Sequence, residues 1–224
     1  MTFSCDAIIF DLDGVLVDSS TAIQNHWQSW GDSHGLSLDH IMRVAHGLRT
    51  VDTIRRVAPH LDAEQEAAAF EEMEVRDATG LVAYRGAAGL LGTIPSASWA
   101  IVTSGSKSLA SARLMHAGLP APQIMITSDD VRNGKPDPEA YLLAASRMRL
   151  PAERCVVVED SPAGLKAARA AGMTAIAVST THSAAALGDA NVIVAGVWDI
   201  RVSVEPGEAG RDAGRNILQA HTST

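Results

Sequence analysis

The chain has 224 residues, and its 18 Lys and Arg against 26 Asp and Glu give a formal net charge of −8, which argues against nonspecific binding to nucleic acid. A composition 46% hydrophobic and 20% charged is that of a globular protein able to bury a core, as one domain with a smaller insertion. No window approaches the roughly 18 uninterrupted apolar residues of a membrane helix, so no membrane partner is expected.

An apolar run, AIIF at residues 7–10, begins without a basic stretch ahead of it, so no secretory signal is expected. Cys5 and Cys155 are the only cysteines, and each sits beside an apolar run. Reduced, buried thiols in a cytoplasmic setting are the expectation. The first strand is followed at once by DLDG, residues 11–14. Residues 19–84 then read as helical, with segments over 19–34, 38–45, 51–58 and 63–79 broken near Gly35, Gly47 and Pro59. Trp27 and Trp30, three apart, read as core of that helical segment, the alternative being that one lines the cleft between it and the sheet domain.

Beyond Gly86 the pattern changes to strand–helix alternation. Apolar strands are expected at 100–103, 123–127, 155–158, 174–178 and 192–194, with helices at 106–117, 138–149 and 162–171. Pro138 and Pro162 suit first helical turns, while Gly118 and Gly172 suit helix ends. The tail from Glu205 is Gly-rich and polar; it reads as a flexible linker or as the loop of a terminal hairpin built from Val202, Val204, Ile217 and Leu218. The fold class expected is therefore α/β: a Rossmann-like three-layer core with a mostly parallel sheet, and a small α-helical cap inserted after the first strand. The core takes residues 1–17 and 85–224, and the cap takes 18–84.

Ligands of open α/β sheets bind at the carboxyl ends of the strands, so the residues following each strand carry the chemistry. Asp11 and Asp13 follow the first strand, Ser104, Gly105 and Ser106 the second, Lys135 in NGKPDPE the third, and Glu159 and Asp160 the fourth. Carboxylates this close repel unless they protonate or bind a cation. An all-oxygen set without His or Cys points to Mg²⁺. The Ser104 hydroxyl and the amides of 104–106, opening a helix, suit phosphate oxygens, and Lys135 adds a point charge. One aspartate beside the metal stays ionised and attacks, while the other protonates the leaving alcohol.

At these residues the chain resembles the haloacid dehalogenase-like hydrolase superfamily: DLDGVLVDS, VTSGS, GKPDP and VVVEDSPAG match its four motifs in order. The resemblance implies that Asp11 is a nucleophile forming an aspartyl-phosphate and that Asp13 is general acid, then base. It also implies that Ser104 and Lys135 hold the phosphoryl group. Asp160, Asp11 and the Asp13 backbone carbonyl are implied as metal ligands, with Glu159 supporting the metal through water or directly. The helical insertion resembles the cap of the β-phosphoglucomutase and sugar-phosphatase branch. HGLRTVDTIRRVAPHLD, residues 46–62, is similar to glycerol-phosphate and 2-deoxyglucose-6-phosphate phosphatases, and SWAIVTSGS, AGLPAP and PDPEAYLLAA are similar to bacterial hexitol- and sugar-phosphate phosphatases. A small sugar or polyol phosphate is the implied substrate. His46, Gly47 and Arg49 are the cap positions expected to contact it.

Two other functions share this constellation. A sugar phosphomutase needs the same four motifs, but the cap histidine of that group falls here on Ile23, with His26 about one turn later. A receiver-like signalling domain also gathers acids, a hydroxyl and a lysine around Mg²⁺, yet lacks both the helical insertion and the second aspartate.

Overall fold

The computed structural model describes residues 1–206 and 216–222. In chain order the elements are β1 (Thr2–Cys5), β2 (Ala7–Phe10), β3 (Val17–Asp18), α1 (Ser20–His34), α2 (Leu38–Ala45), α3 (Thr50–Val57), α4 (Ala63–Arg76) and β4 (Val82–Ala83). There follow α5 (Ala87–Thr93), β5 (Trp99–Val102), α6 (Lys107–His116), β6 (Met125–Ile126), α7 (Glu139–Met148), β7 (Cys155–Glu159) and α8 (Pro162–Ala170). The chain closes with β8 (Thr174–Val178), β9 (Val192–Val194), β10 (Ile200–Pro206) and β11 (Asn216–Thr222).

The central sheet has six parallel strands in the order β6-β5-β2-β7-β8-β9. Because both faces are covered, β2 is apolar at every position, yet its side chains still alternate. Ile8 and Phe10 join one buried cluster with Val156, Ile176 and residues of α5 and α6, whereas Ala7 and Ile9 join the opposite one with Val157, Leu165 and residues of α7 and α8. These are the layers of a Rossmann-like α/β sandwich. Pro162 stands in the first turn of α8, where Ser161 accepts from the Gly164 amide, so the Ser-Pro pair starts that helix beside the sheet's carboxyl edge.

Helices α1 to α4 pack around a cluster of their own that includes Trp27, Trp30, Ile41, Ile54 and Phe70. Trp27 lies 4.1 Å from Phe70 between ring centroids, and the Trp30 indole donates to Glu66 Oε2 at 2.9 Å. Both tryptophans are thus buried in this cluster, and Trp27 also borders the cavity beside the sheet. The helical unit is inserted through a two-strand ribbon, β3 antiparallel to β4.

The differences from the sequence reading are local. Helix α4 ends at Arg76 rather than 79, because the Asp77 carboxylate accepts from the Thr79 amide at 3.0 Å and turns the chain. The ladder residues of the edge strand β6 are only 125–126. Strands β1, β3 and β4 and helix α5 lie beyond the sequence reading. The tail forms a hairpin: β10 pairs antiparallel with β11, which in turn pairs with β1. Residues 207–215, read as linker or hairpin loop, lie outside the described residues. Cys5 and Cys155 are both buried and free. Among the described residues, no helix is long and apolar enough to cross a membrane.

Candidate active site

A cavity of about 310 Å³ opens between the carboxyl edge of the sheet and the helical unit. Asp11, Asp13, Gly14, Thr103, Ser104, Gly105 and Asp160 form its sheet-side floor. The helical unit contributes Gln24, Trp27, His46, Thr50, Thr53 and Glu74 to the opposite wall. The wall mixes apolar rings with hydroxyl, amide and carboxylate groups, which suits a small polar molecule.

Asp11 lies at the end of β2, 7% exposed, and Lys135 Nζ donates to its Oδ1 at 2.5 Å. Burial pushes the Asp11 carboxyl up to about 7 against the pull of Lys135, with Glu159 and Asp13 adding to the rise. Asp160, also buried, is raised well above the usual carboxylate range by burial, then by Glu159 and Asp11. Its Oδ2 accepts from the Thr181 hydroxyl. Gly14, at φ +80, permits this crowding, since a Cβ there would stand 2.2 Å from Asp160 Oδ2. With all three ionised, Asp11, Glu159 and Asp160 would face one buried cation, Lys135, and leave two negative charges over, which is the repulsion that raises Asp11 and Asp160. A hard divalent cation fits that excess, with oxygen donors from Asp11 and Asp160. Among the described residues no group of three His, Cys, Asp or Glu side chains has the geometry to hold a metal by itself.

Glu159 departs from the ligand reading. It is fully buried, and its Oε1 accepts from Lys135 Nζ at 2.6 Å and from the Tyr141 hydroxyl at 3.0 Å. Its Oε2 accepts from the amides of Asp160 and Ser161 at 2.9 and 2.8 Å and from the Ser161 hydroxyl at 2.9 Å. Desolvation opposes ionisation here, but Lys135 and the Ser161 bonds outweigh it and hold the carboxyl below its usual range. Five donors occupy its two oxygens, so it faces inward and braces Lys135 and the 160–161 turn. Gly164 is the contact that makes room, since a Cβ there would meet Glu159 Oε1 at 1.6 Å. Lys135 itself is 4% exposed and lies outside the cavity lining, behind Asp11. Desolvation opposes its charge, but Asp11 and Glu159 hold its ammonium well above the ordinary lysine range.

Ser104 and Gly105 line the floor, and the Ser104 hydroxyl donates to the Gly47 carbonyl at 2.9 Å. Ser106 does not line the cavity; its hydroxyl caps α6 by accepting from the Leu109 amide at 3.4 Å. His46 and Gly47 line the cavity. His46 packs edge-on to His182 with ring centroids 4.9 Å apart. Gly47, at φ +75, leans on the sheet unit, where a Cβ would come 2.3 Å from Ser161 Oγ.

Arg49 requires a correction. It lies outside the cavity lining, with Nε and a terminal nitrogen on the Asp52 carboxylate at 2.6 and 3.1 Å and the other terminal nitrogen on the Arg132 carbonyl at 2.9 Å. A bidentate partner three residues on, in the first turn of α3, satisfies the guanidinium before any substrate arrives. His26 is likewise turned away, bonded through Nε2 to Asp77 Oδ2 at 3.3 Å, while Ile23 lines the cavity.

Residues outside the sequence reading complete the site. Arg113 of α6 and Glu74 of α4 both line the cavity and are 5% and 6% exposed. One terminal nitrogen of Arg113 pairs with Asp13 Oδ2, and the other donates to Glu74 Oε1 at 2.8 Å. Leu109, Ala110 and Leu114 are buried on the same helix, so a charge at 113 interrupts an apolar face. That interruption is the signal in the sequence that marks it.

Residues 5–172 match the family model described as haloacid dehalogenase-like hydrolase. The chain is 39% identical over 207 residues to hexitol phosphatase A of Escherichia coli, covering 90% of this chain and 96% of the relative. It is 34% identical to glycerol-1-phosphate phosphohydrolase 2 of Saccharomyces cerevisiae, over 81% of this chain and 77% of that protein. Among solved structures, a hydrolase from Pseudomonas syringae superposes with a TM-score of 0.75 at 28% identity, over 87% of this chain and 95% of that one. With the family model spanning all four strand ends that build the cleft, the chain belongs to the haloacid dehalogenase-like hydrolases.

Proposed function

We propose that this hydrolase is a Mg²⁺-dependent phosphatase of small phosphorylated sugars or polyols, working through an aspartyl-phosphate on Asp11. The observation that carries the reading is the pair of aspartates on the cavity floor, one backed by a buried lysine and the other paired to a buried arginine. The relatives' names, hexitol phosphatase and glycerol-1-phosphate phosphohydrolase, support a polyol or sugar monoester.

In the first step a carboxylate oxygen of Asp11 attacks phosphorus and the bond to the substrate's ester oxygen breaks. Asp13 delivers its proton to that oxygen, so the alcohol leaves neutral. In the second step Asp13 takes a proton from water, the water oxygen attacks phosphorus, and the bond to Asp11 breaks to release phosphate. Lys135 keeps Asp11 oriented and partly neutralised from behind, while Ser104 and the Gly105 amide meet the phosphoryl oxygens. Asp11, Asp160 and the Asp13 carbonyl would hold a magnesium ion, which would supply charge neutralisation for the phosphoryl group. Residues 18–84 act as a cap over a core of 1–17 and 85–224, excluding water from the first step. In this reading Arg49 ties cap to core rather than binding substrate.

Phosphate release from a panel of polyol and sugar monoesters with Mg²⁺ tests this directly, with a sugar bisphosphate as the mutase control. Asp11→Asn abolishes release from every ester that the parent hydrolyses. Near-normal release by that variant would refute the nucleophile, and isomerised sugar phosphate with little free phosphate would establish the mutase instead.

A further inference from the structure

We propose that Arg113 is a positioning residue that aims the proton-carrying oxygen of Asp13, and that Glu74 of the helical unit sets Arg113 for that task. The proposal rests on the reading of Asp13 as the general acid.

A guanidinium in a nearly closed interior is costly unless its donors are met. Arg113 meets them across the seam between the two units: one terminal nitrogen pairs with Asp13 Oδ2 from the sheet edge, and the other with Glu74 Oε1 from α4. The planar fork fixes the relation between those partners, which a lysine's single ammonium would not reproduce. The consequence falls on the second oxygen of Asp13. Oδ1 is buried and has no hydrogen-bond partner among the described residues, and Asp13 lines the cavity. With Oδ2 held by Arg113, Oδ1 is the oxygen left to face a substrate's ester oxygen. Because Glu74 belongs to α4, Arg113 completes this grip only when the helical unit is seated on the sheet unit. The acid is therefore aimed as the cleft closes.

Behind Glu74 lies His26 Nδ1, 3.9 Å from the same Oε1, and His26 Nε2 is bonded to Asp77. His26 Nδ1 makes no hydrogen bond at that distance, so it reaches Glu74 by charge alone and only when protonated. A purely structural ion pair would stabilise the seam without distinguishing one substrate from another. Aiming an acid does distinguish them, because only a poor leaving group needs the proton.

The experiment measures kcat/KM, which reports steps through the first phosphoryl transfer, for glycerol phosphate and for p-nitrophenyl phosphate. Asp13→Asn is the reference and loses about 10²–10⁴-fold on the alkyl ester and far less on the aryl ester. Arg113→Met follows the same pattern, with at least about a tenfold loss on the alkyl ester and under about threefold on the aryl ester. Arg113→Lys falls between, and Glu74→Gln shows the alkyl-selective loss and adds nothing to Arg113→Met. If Arg113→Met does not fold, the Lys and Gln variants carry the same comparison. Equal losses on both esters in the Arg113 and Glu74 variants, with Asp13→Asn still alkyl-selective, would overturn this inference alone. Equal losses in Asp13→Asn itself would overturn the general-acid reading and the inference with it.

Discussion

Replacing Glu159 with Gln changes no volume and touches no surface, yet the structure assigns it a large cost. Two donors converge on Oε1 and three on Oε2 of this fully buried carboxylate. An amide has one accepting oxygen, so either orientation points an NH₂ group at two or more donors. Hydrogen bonds to a charged group contribute about 1.5–3 kcal/mol each, and at least two are lost. Removing one member of a buried ion pair costs about 3–5 kcal/mol, in agreement with that sum. At about 2–4 °C per kcal/mol for a chain of this size, a loss near 4 kcal/mol lowers Tm by roughly 8–16 °C. Thermal unfolding followed by circular dichroism, with urea titration as the second probe, measures it. A Tm within about 3 °C of the parent would refute the five-donor arrangement and return Glu159 to the cleft as a candidate ligand.

Further outcomes follow from the same geometry. Gly47→Ala places a Cβ against Ser161 Oγ and asks an L-residue for φ +75, at a cost of about 1–2 kcal/mol, so kcat/KM falls roughly 5- to 30-fold while the far-UV spectrum is kept. A fall below about twofold would mean that the working state does not make this contact. His26 is raised from 6.5, most strongly by Glu74, with burial opposing and Asp77 adding. Its folded value exceeds its unfolded value, so the stability it contributes is complete below pH 6.5 and is lost as pH rises through the folded value. Urea midpoints compared at pH 6 and pH 8.5 detect this as a decline that His26→Gln abolishes; an unchanged decline in the variant would assign it to other groups. Excess chelator stops turnover and added Mg²⁺ restores it, and activity surviving chelation would remove the cation from the proposed mechanism.

The parts legible in the sequence are those governed by local rules. Residues 7–10 and 192–194 are apolar at every position and 174–178 at all but Thr174, and they are strands with those bounds because the sheet is covered on both faces. Asp11, Asp13, Ser104 and Asp160 meet in the cavity because each follows a strand of one parallel sheet. What escaped depends on partners that a motif does not specify. Arg49 faces Asp52, Ser106 is consumed as a helix cap, and Glu159 turns inward because Gly164 leaves it space. Arg113 and Glu74 lie on helices apart from the motifs, and their pairing exists only once two units of the chain meet. The short strands β3 and β4 have two residues each, too few for any periodicity to register.

The insertion point of the helical unit also sets an order of assembly. Strand β2, whose end carries Asp11, is flanked in the sheet by β5 and β7, whose pairing residues begin at Trp99 and Cys155. Helices α1 to α4 lie between β2 and both partners in the chain, and they pack on near neighbours. Contacts between near neighbours close with little loss of loop entropy, whereas the pairings of β2 reach from Ile8 to Trp99 and from Ala7 to Cys155. On a ribosome, the helical unit can therefore condense while an apolar strand still waits for its neighbours. The aspartates enter a finished cleft only after β7 has been synthesised, so the nascent protein carries both of them long before the cavity they line exists.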